Sequence, residues 1–156
     1  MTGDLIVRAA LAADAPDIAA LHGSSFAKGW ETPAVDAMLS SPGASAFIAE
    51  GRERIAGFLL GRHAADEAEI LSIAVDKTLR RGGLGRAMLE RFAADCAARG
   101  IARMFIEVAE ADEGAVAFYR AAGFVACGRR PAYYPDRPAG ANDALLMRRD
   151  IAGCPS

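Results

Sequence analysis

The chain has 156 residues, 53% of them hydrophobic, and a formal net charge of −2 at pH 7. This length suits one domain, expected to span residues 1–156, and the composition provides ample material for a hydrophobic core. No apolar run reaches the roughly 18 residues of a membrane span, and no basic-then-apolar leader begins the chain, so we expect a cytoplasmic protein that does not bind membranes. The near-neutral charge argues against direct nucleic-acid binding. The three cysteines are widely spaced and odd in number, which favours a reducing compartment. With only two histidines beside them, the sequence predicts no metal site.

The first half of the chain predicts one strand, two helices and then three strands. Strands are expected at 5–8, 46–50, 54–60 and 69–75, with a hairpin turn at 51–53. The first helix follows Asp14 as its N-cap and carries Pro16 in its first turn. The second helix begins at Thr32, and the loop between the helices holds the only tryptophan, Trp30.

The second half alternates helices with strands. Helices are expected at 84–99 and 113–122, and strands at 103–108, 124–127 and 144–149. Residues 131–140 form the one long loop, and long loops in compact domains are often functional. A meander of strands followed by two strand–helix units predicts an α/β (mixed α+β) fold, a twisted mixed seven-stranded sheet flanked by about four helices.

A glycine-rich segment, residues 80–86, connects the strand at 69–75 to the next helix. Glycines permit positive φ and close approach of a ligand, and a helix N-terminus presents free N–H groups together with the positive end of the helix dipole. The segment therefore predicts a pyrophosphate site. It matches neither the Walker loop nor the dinucleotide fingerprint. The alternative is a helix cap with a solvated basic face.

The spacing Arg80-x-x-Gly83-x-Gly85 resembles the acetyl-coenzyme A loop of the GNAT acetyltransferases. Residues 72–76 before the loop, and 105–124 after it, are similar to the strand and the second signature of that family. The resemblance implies the GNAT fold and acetyl-CoA as cosubstrate. It implies cofactor binding by Ile73, Ala74, Val75, Arg81, Gly82, Gly83, Leu84, Gly85, Arg86 and Asp112. Asp112 stands where the family usually has asparagine, and it can accept hydrogen bonds but has no amide N–H to donate.

A narrower resemblance lies near the C-terminus. Residues 129–135 and 143–147 are similar to the protein N-terminal acetyltransferases of the ribosomal-protein alanine (RimI) type, although Asn142 replaces the glutamate usual there. The resemblance implies acetylation of a protein N-terminus, that of an alanine-starting ribosomal protein. The implied substrate-binding residues are Trp30, Tyr133, Tyr134 and Asp143. As alternatives, Trp30 packs in the core and the paired tyrosines cover a hydrophobic edge.

The same family resemblance implies Glu107 as general base and Tyr119 as general acid in a direct transfer. Their alternatives are a solvated strand end and a core aromatic residue. No Cys–His pair or serine nucleophile motif suggests a covalent acyl-enzyme. His22 and Cys127 are expected to be structural.

Other functions remain open at this point. A GNAT enzyme of this kind could act on a small-molecule amine or on a protein lysine instead of an α-amine. A regulator that binds acyl-CoA without turnover would dispense with Glu107 and Tyr119, both of which are present. A toxin acting on aminoacyl-tRNA would need a broad basic surface, which the net charge of −2 does not favour.

Overall fold

The computed structural model describes residues 6–26, 29–51, 53–80, 82–131, 133 and 143–151. The strands are β1 (Val7–Ala9), β2 (Ala44–Glu50), β3 (Ile55–Ala64), β4 (Glu67–Val75), β5 (Arg103–Ala109), β6 (Val125–Arg130) and β7 (Ala144–Asp150). The helices are α1 (Ala15–Ser25), α2 (Thr32–Ser40), α3 (Leu84–Ala98) and α4 (Glu113–Ala121). Short 3-10 turns cover Ala12–Asp14 and Lys77–Leu79.

All seven strands form one sheet in the order β1-β2-β3-β4-β5-β7-β6. Strands β4 and β5 pair in parallel, and the other neighbouring pairs are antiparallel. The predicted mixed seven-stranded sheet with four helices is confirmed.

The sheet has a hydrophobic core on each face. On one face, α3 and α4 pack through Met88, Phe92 and Tyr119 against residues such as Met104 of β5. On the other face, α1 and α2 pack on the first half of the sheet through residues that include Ile18, Val35 and Phe58. Because side chains alternate along a strand, Phe105 and Glu107 of β5 point away from the core under α3 and α4.

Several boundaries differ from the sequence prediction. The strand expected at 54–60 continues to Ala64, and it joins β4 through a tight turn at Ala65, whose φ is +53°. That turn lacks the glycine or asparagine that usually marks a positive φ, so the sequence pattern does not predict a turn there. Strand β2 begins two residues earlier than expected, β6 extends to Arg130, and Leu5 of the expected first strand lies outside the described residues.

Asp14 occupies the N-cap position of α1, but its carboxylate does not cap that helix. It accepts a hydrogen bond from the Leu11 N–H at 2.7 Å and pairs with Arg8 at 2.9 Å. The prediction that the Asp14 side chain caps α1 is therefore wrong, because its carboxylate bonds Leu11 and Arg8 instead. The guanidinium of Arg8 holds the pKa of Asp14 below its ordinary value, so this link between β1 and the start of α1 is charged at neutral pH.

His22 is buried and structural, as expected. Its Nδ1 accepts a hydrogen bond from the Trp30 N–H at 3.0 Å, and its ring stacks 4.9 Å from that of Trp30. Burial lowers the pKa of His22, because a charged imidazole would be poorly solvated there. Among the described residues, none of the helices has the length and apolar character needed to cross a membrane.

We predict that Gly61→Ala destabilises the fold by about 1–3 kcal/mol through overpacking. Strand β3 passes so close to α3 that a Cβ on Gly61 would lie 2.5 Å from the Phe92 ring and 3.0 Å from the Ser45 carbonyl. Denaturant unfolding gives the free energy of unfolding.

Gly128→Ala in β6 is the matched control, because its Cβ would meet Leu146 at an ordinary 3.6 Å. This control is expected to change the free energy of unfolding by less than about 1 kcal/mol. Equal losses in the two variants would contradict the packing argument.

Candidate active site

A gap opens between β4 and β5 at the middle of the sheet. The two strands pair only from Glu67–Arg103 to Ile70–Ile106. In the ladder with β3, Leu60 faces Ser72 while Gly61 faces Ile70, which makes Leu71 an extra residue in β4. Such a bulge bends its strand and increases the local twist. From this point, β4 continues to Val75 along β3, and β5 continues to Ala109 along β7.

The register of β4 directs backbone groups into this gap. The Asp76 N–H donates to the Ala56 carbonyl at 2.8 Å, so Val75 opposite Gly57 is a pair that does not exchange hydrogen bonds. The N–H and C=O of Val75 therefore point away from β3. By alternation, Ile73 has the same orientation and Ala74 the opposite one. Ile73, Ala74 and Val75 are the three residues of β4 that are predicted to bind the cofactor. Ile73 and Val75 direct their N–H and C=O groups into the gap, whereas those of Ala74 point towards β3.

The N-terminus of α3 follows β4 at the same end of the gap. Gly83 is its N-cap residue, with φ +80°. The first bond within the helix runs from the Ala87 N–H to the Gly83 carbonyl at 2.9 Å. The N–H groups of Leu84, Gly85 and Arg86 precede that bond, so they have no carbonyl partner within the helix and are suited to an anion. Gly82 is exposed beside them, and Arg81 lies outside the described residues.

The side chain of Arg86 is occupied by a contact between helices. Its Nε donates to Glu90 at 2.7 Å and its Nη1 to the carbonyl of Ala121, at the end of α4, at 3.2 Å. Glu90 also bonds both terminal nitrogens of Arg149 in β7 at 2.9 Å. The contribution of Arg86 to a pyrophosphate would therefore come from its backbone. The side chain of Arg80 donates to the Val75 carbonyl at 3.2 Å.

Glu107 lies on β5 next to the gap, on the face away from α3 and α4. Its side chain is 15% exposed, and its Oε1 is 3.0 Å from Nη2 of Arg130. It also accepts a hydrogen bond from Tyr133, whose pKa it raises, first through its negative charge. The Arg130 guanidinium lies 5.7 Å from the centre of the Tyr133 ring. A groove of about 370 Å³ runs past these residues, lined also by Phe105 and Leu146.

Tyr119 lies on α4, on the opposite face of the sheet. Only 4% of it is exposed, and its ring packs edge-on against Phe118 at 5.1 Å and Phe124 at 5.5 Å. Burial raises the pKa of the Tyr119 phenol, and the negative charge of Asp112 adds to the effect. The hydroxyl is therefore protonated at neutral pH, as a proton donor must be.

The remaining predicted residues are scattered. Asp112 is the N-cap of α4, and its Oδ1 accepts the Ala115 N–H at 3.1 Å. Asp143 directly precedes β7, and its carbonyl accepts the Glu110 N–H at 2.9 Å. Trp30 packs into the core beneath α1 and α2, and the described residues that line the groove do not include it. Tyr134 lies outside the described residues.

Sequence reasoning did not assign four charged residues of the groove, Arg62, Glu67, Glu69 and Arg130. Arg62 and Glu69 are register partners on β3 and β4, joined at 2.9 Å. The sequence offers a partial indication of Glu69, because it lies on the strand that this fold pairs in parallel with the strand of Glu107. The described residues contain no group of three or more His, Cys, Asp or Glu side chains that could hold a metal ion.

Comparison with known proteins agrees with this geometry. The sequence model of the acetyltransferase (GNAT) family matches residues 15–124. The ribosomal protein bS18-alanine N-acetyltransferase of Escherichia coli K12 is 36% identical over 99 residues, which span 64% of this chain and 66%, just under two thirds, of that enzyme. The N-alpha-acetyltransferase RimI of Mycobacterium tuberculosis is 34% identical over 165 residues, covering 100% of both chains.

A solved structure extends the likeness to the fold. The crystal structure of the ribosomal-protein-S18-alanine N-acetyltransferase from Escherichia coli superposes with a TM-score of 0.86 at 28% identity, over 97% of each chain. The family match covers more than half of the sequence and includes the glycine-rich loop, the strand of Glu107 and the helix of Tyr119. The chain therefore belongs to the GNAT family of acetyltransferases, enzymes that use acetyl-CoA.

Proposed function

We propose that this protein transfers the acetyl group of acetyl-CoA to the N-terminal α-amine of a protein, an alanine-starting ribosomal protein. The observation that carries the proposal is the gap between β4 and β5, with Glu107 on one face of the sheet and Tyr119 on the other. The activities for which the Escherichia coli and Mycobacterium tuberculosis relatives are named support the choice of acceptor.

The described residues are suited to holding acetyl-CoA. The backbone groups of Ile73 and Val75 that point into the gap would bind the amides of the pantetheine arm. The free N–H groups at the start of α3 would bind the pyrophosphate, and a Cβ placed on Gly83 meets nothing within 4 Å, so the loop leaves room above them. Bound there, acetyl-CoA supplies the acetyl group as an activated thioester.

In this proposal Glu107 accepts the proton of the attacking amine. An α-amine has a pKa of roughly 7.7–8.0, against about 10.4 for lysine, so one carboxylate is sufficient help near pH 7. The contacts of Glu107 with Arg130 and Tyr133 orient its carboxylate at the groove. The proton passes to Glu107 directly or through one water as the nitrogen–carbon bond forms.

Tyr119 supplies the second proton. When the carbon–sulfur bond breaks, the coenzyme leaves as a thiolate, whose pKa is close to the 8.5 or so of cysteine. In this proposal Tyr119, on the opposite face of the sheet, donates its phenolic proton to that sulfur, and because the phenol is protonated at neutral pH the proton is present when the thiolate forms. The two proton transfers thus use groups on opposite faces of the sheet.

The first prediction tests the phosphate site. Gly83→Glu should abolish the rise in melting temperature that acetyl-CoA produces, because a side chain and a negative charge would occupy the site of the pyrophosphate. Differential scanning fluorimetry with and without millimolar acetyl-CoA measures the shift.

Gly100→Glu is the matched control for Gly83→Glu. Gly100 follows the other end of α3 with φ +73°, and its Cβ would also meet nothing within 4 Å. Both variants should lose about 1–2 kcal/mol of stability from the positive φ, but only Gly83→Glu should lose the ligand shift. Loss of the shift in both, or in neither, contradicts the assignment.

The second prediction concerns the acceptor. A short peptide with a free N-terminal alanine should be acetylated, and the same peptide with a blocked N-terminus and an internal lysine should not. Mass spectrometry locates the added acetyl group. Equal or faster acetylation of the lysine would show that the enzyme is a lysine acetyltransferase instead.

The third prediction separates the two proton-transfer roles. Glu107→Gln should lower kcat/KM at pH 7 by about 10²–10⁴-fold, with partial recovery at higher pH, where more of the amine is already neutral. Tyr119→Phe should slow turnover with little change in acetyl-CoA affinity and should gain little from raised pH. Steady-state kinetics from pH 6 to pH 9.5 measure both.

Glu110→Gln is the matched control for Glu107→Gln. Glu110 forms the same kind of arginine pair, with Arg129 Nε at 2.8 Å, in the turn that follows β5. It should retain nearly full activity with an unchanged pH profile. A Glu107→Gln profile that also matches the wild type, or full turnover by Tyr119→Phe, would refute these roles.

A further inference from the structure

The groove beside Glu107 contains two further carboxylates, Glu67 and Glu69, both on β4. Glu69 lies beside Phe105 in the parallel ladder, two residues before Glu107 on the neighbouring strand. Strands lie about 4.8 Å apart and two residues span about 6.6 Å along a strand, so the Cα atoms of Glu69 and Glu107 are roughly 8 Å apart. Because residues two apart on a strand share a face, both carboxylates face the groove.

Glu69 and Glu107 are each less exposed than the arginine that pairs with them, whereas Glu67, at 52% exposed, is more exposed than its partner Arg103 at 36%. The side chain of Glu69 is 38% exposed against 54% for Arg62, and that of Glu107 is 15% exposed against 60% for Arg130. The floor of the groove, where Glu69 and Glu107 lie, is therefore acidic. Three glutamates against two arginines also leave the described lining with an excess of negative charge.

The charges of Glu107 and Glu69 both act on the hydroxyl of Tyr133. Its pKa is raised first by the charge of Glu107, through a hydrogen bond to the same residue, and also by the charge of Glu69. Both carboxylates therefore lie near the hydroxyl that stands at the groove. A ligand group that passes Tyr133 on its way to Glu107 meets the field of Glu69 as well.

We propose that Glu69 is a specificity-determining residue that binds the lysine or arginine side chain at the second or third position of the acceptor protein. This inference rests on the proposed function, because it takes the acceptor α-amine to lie at Glu107. An extended peptide advances about 3.3 Å per residue, so a long cationic side chain from either position spans the separation to Glu69.

The existing partner of Glu69 does not prevent this. Arg62 bonds Glu69 through Oε1 at 2.9 Å, and ion pairs between exposed side chains contribute little to stability. An incoming guanidinium can share or replace that contact at small cost, and arginine binds a carboxylate through two parallel hydrogen bonds. A neutral side chain at the same place would form no ion pair with Glu69, and an acidic one would be repelled by it.

The test compares peptides that share an N-terminal alanine and an amidated C-terminus but differ at one position. Arginine at position 2 or at position 3 is set against glutamine at the same position, with no other charged side chain. We expect the wild-type kcat/KM to be about tenfold higher for at least one arginine peptide, the size of one charge-assisted hydrogen bond. Glu69→Gln should reduce that preference to less than about threefold, because the variant has no carboxylate to bind the arginine.

Glu67→Gln is the matched control, since Glu67 lines the same groove but lies beside Arg103, four residues before Glu107. It should keep the arginine preference. The inference is overturned if the wild type shows no preference, if Glu69→Gln keeps it, or if Glu67→Gln removes it equally.

A binding measurement separates this inference from the proposed function. Fluorescence anisotropy of the same peptides, labelled at the C-terminus, reports affinity without turnover. Tighter binding of an arginine peptide that depends on Glu69, without acetylation of any peptide, would refute the proposed function and support the groove assignment. Acetylation of all peptides with equal affinity and rate would refute the groove assignment alone.

Discussion

The bulge at Leu71 is the constraint on which the rest of the molecule depends. One extra residue in β4 shifts the side-chain alternation, so that Ala68 and Ile70 before it, and Ile73 and Val75 after it, all face the core under α3 and α4. The same residue ends the pairing with β5. Backbone groups that an ordinary sheet would pair internally are thereby directed into a gap, where they need partners from elsewhere.

The sheet also separates two electrostatic environments. Glu107 lies in a polar groove among charged neighbours, while Tyr119 lies in an apolar core between aromatic rings. A carboxylate that must ionise and a phenol that must stay protonated have opposite requirements for solvation. In the proposed mechanism, their positions on opposite faces would satisfy both requirements, and the gap would be the route by which one substrate reaches the two groups.

Much of the fold followed from local patterns. The order of strands and helices, the glycine N-cap of α3 and the structural role of His22 each depend on residues near one another in sequence, so periodicity and capping rules identify them. Glu107 and Tyr119 are named from a family resemblance, and the structure places them on opposite faces of the sheet. Their chemical roles stay predictions.

The parts that the sequence did not reveal depend on distant pairings. The bulge at Leu71 exists only relative to β3, and no local signal marks it. The contacts of the Arg86 side chain are another example, because it bonds Glu90 and also the end of α4, 35 residues away. Glu69 reads as an ordinary polar residue of an alternating strand until the parallel register places it beside the strand of Glu107.

None of the residues of strand β6, all of which the structure describes, belongs to either hydrophobic core of the sheet. Every residue of β6 is exposed, and the strand forms the edge of the sheet with β7 as its neighbour. It nevertheless carries Arg130, which lines the groove, and leads to Tyr133, which bonds Glu107. Substitutions there disturb little of the buried core, whereas α3 and α4 are anchored in it. If the groove binds the acceptor as proposed, substitutions along this one exposed edge change acceptor preference without disturbing the core that holds α3 and α4.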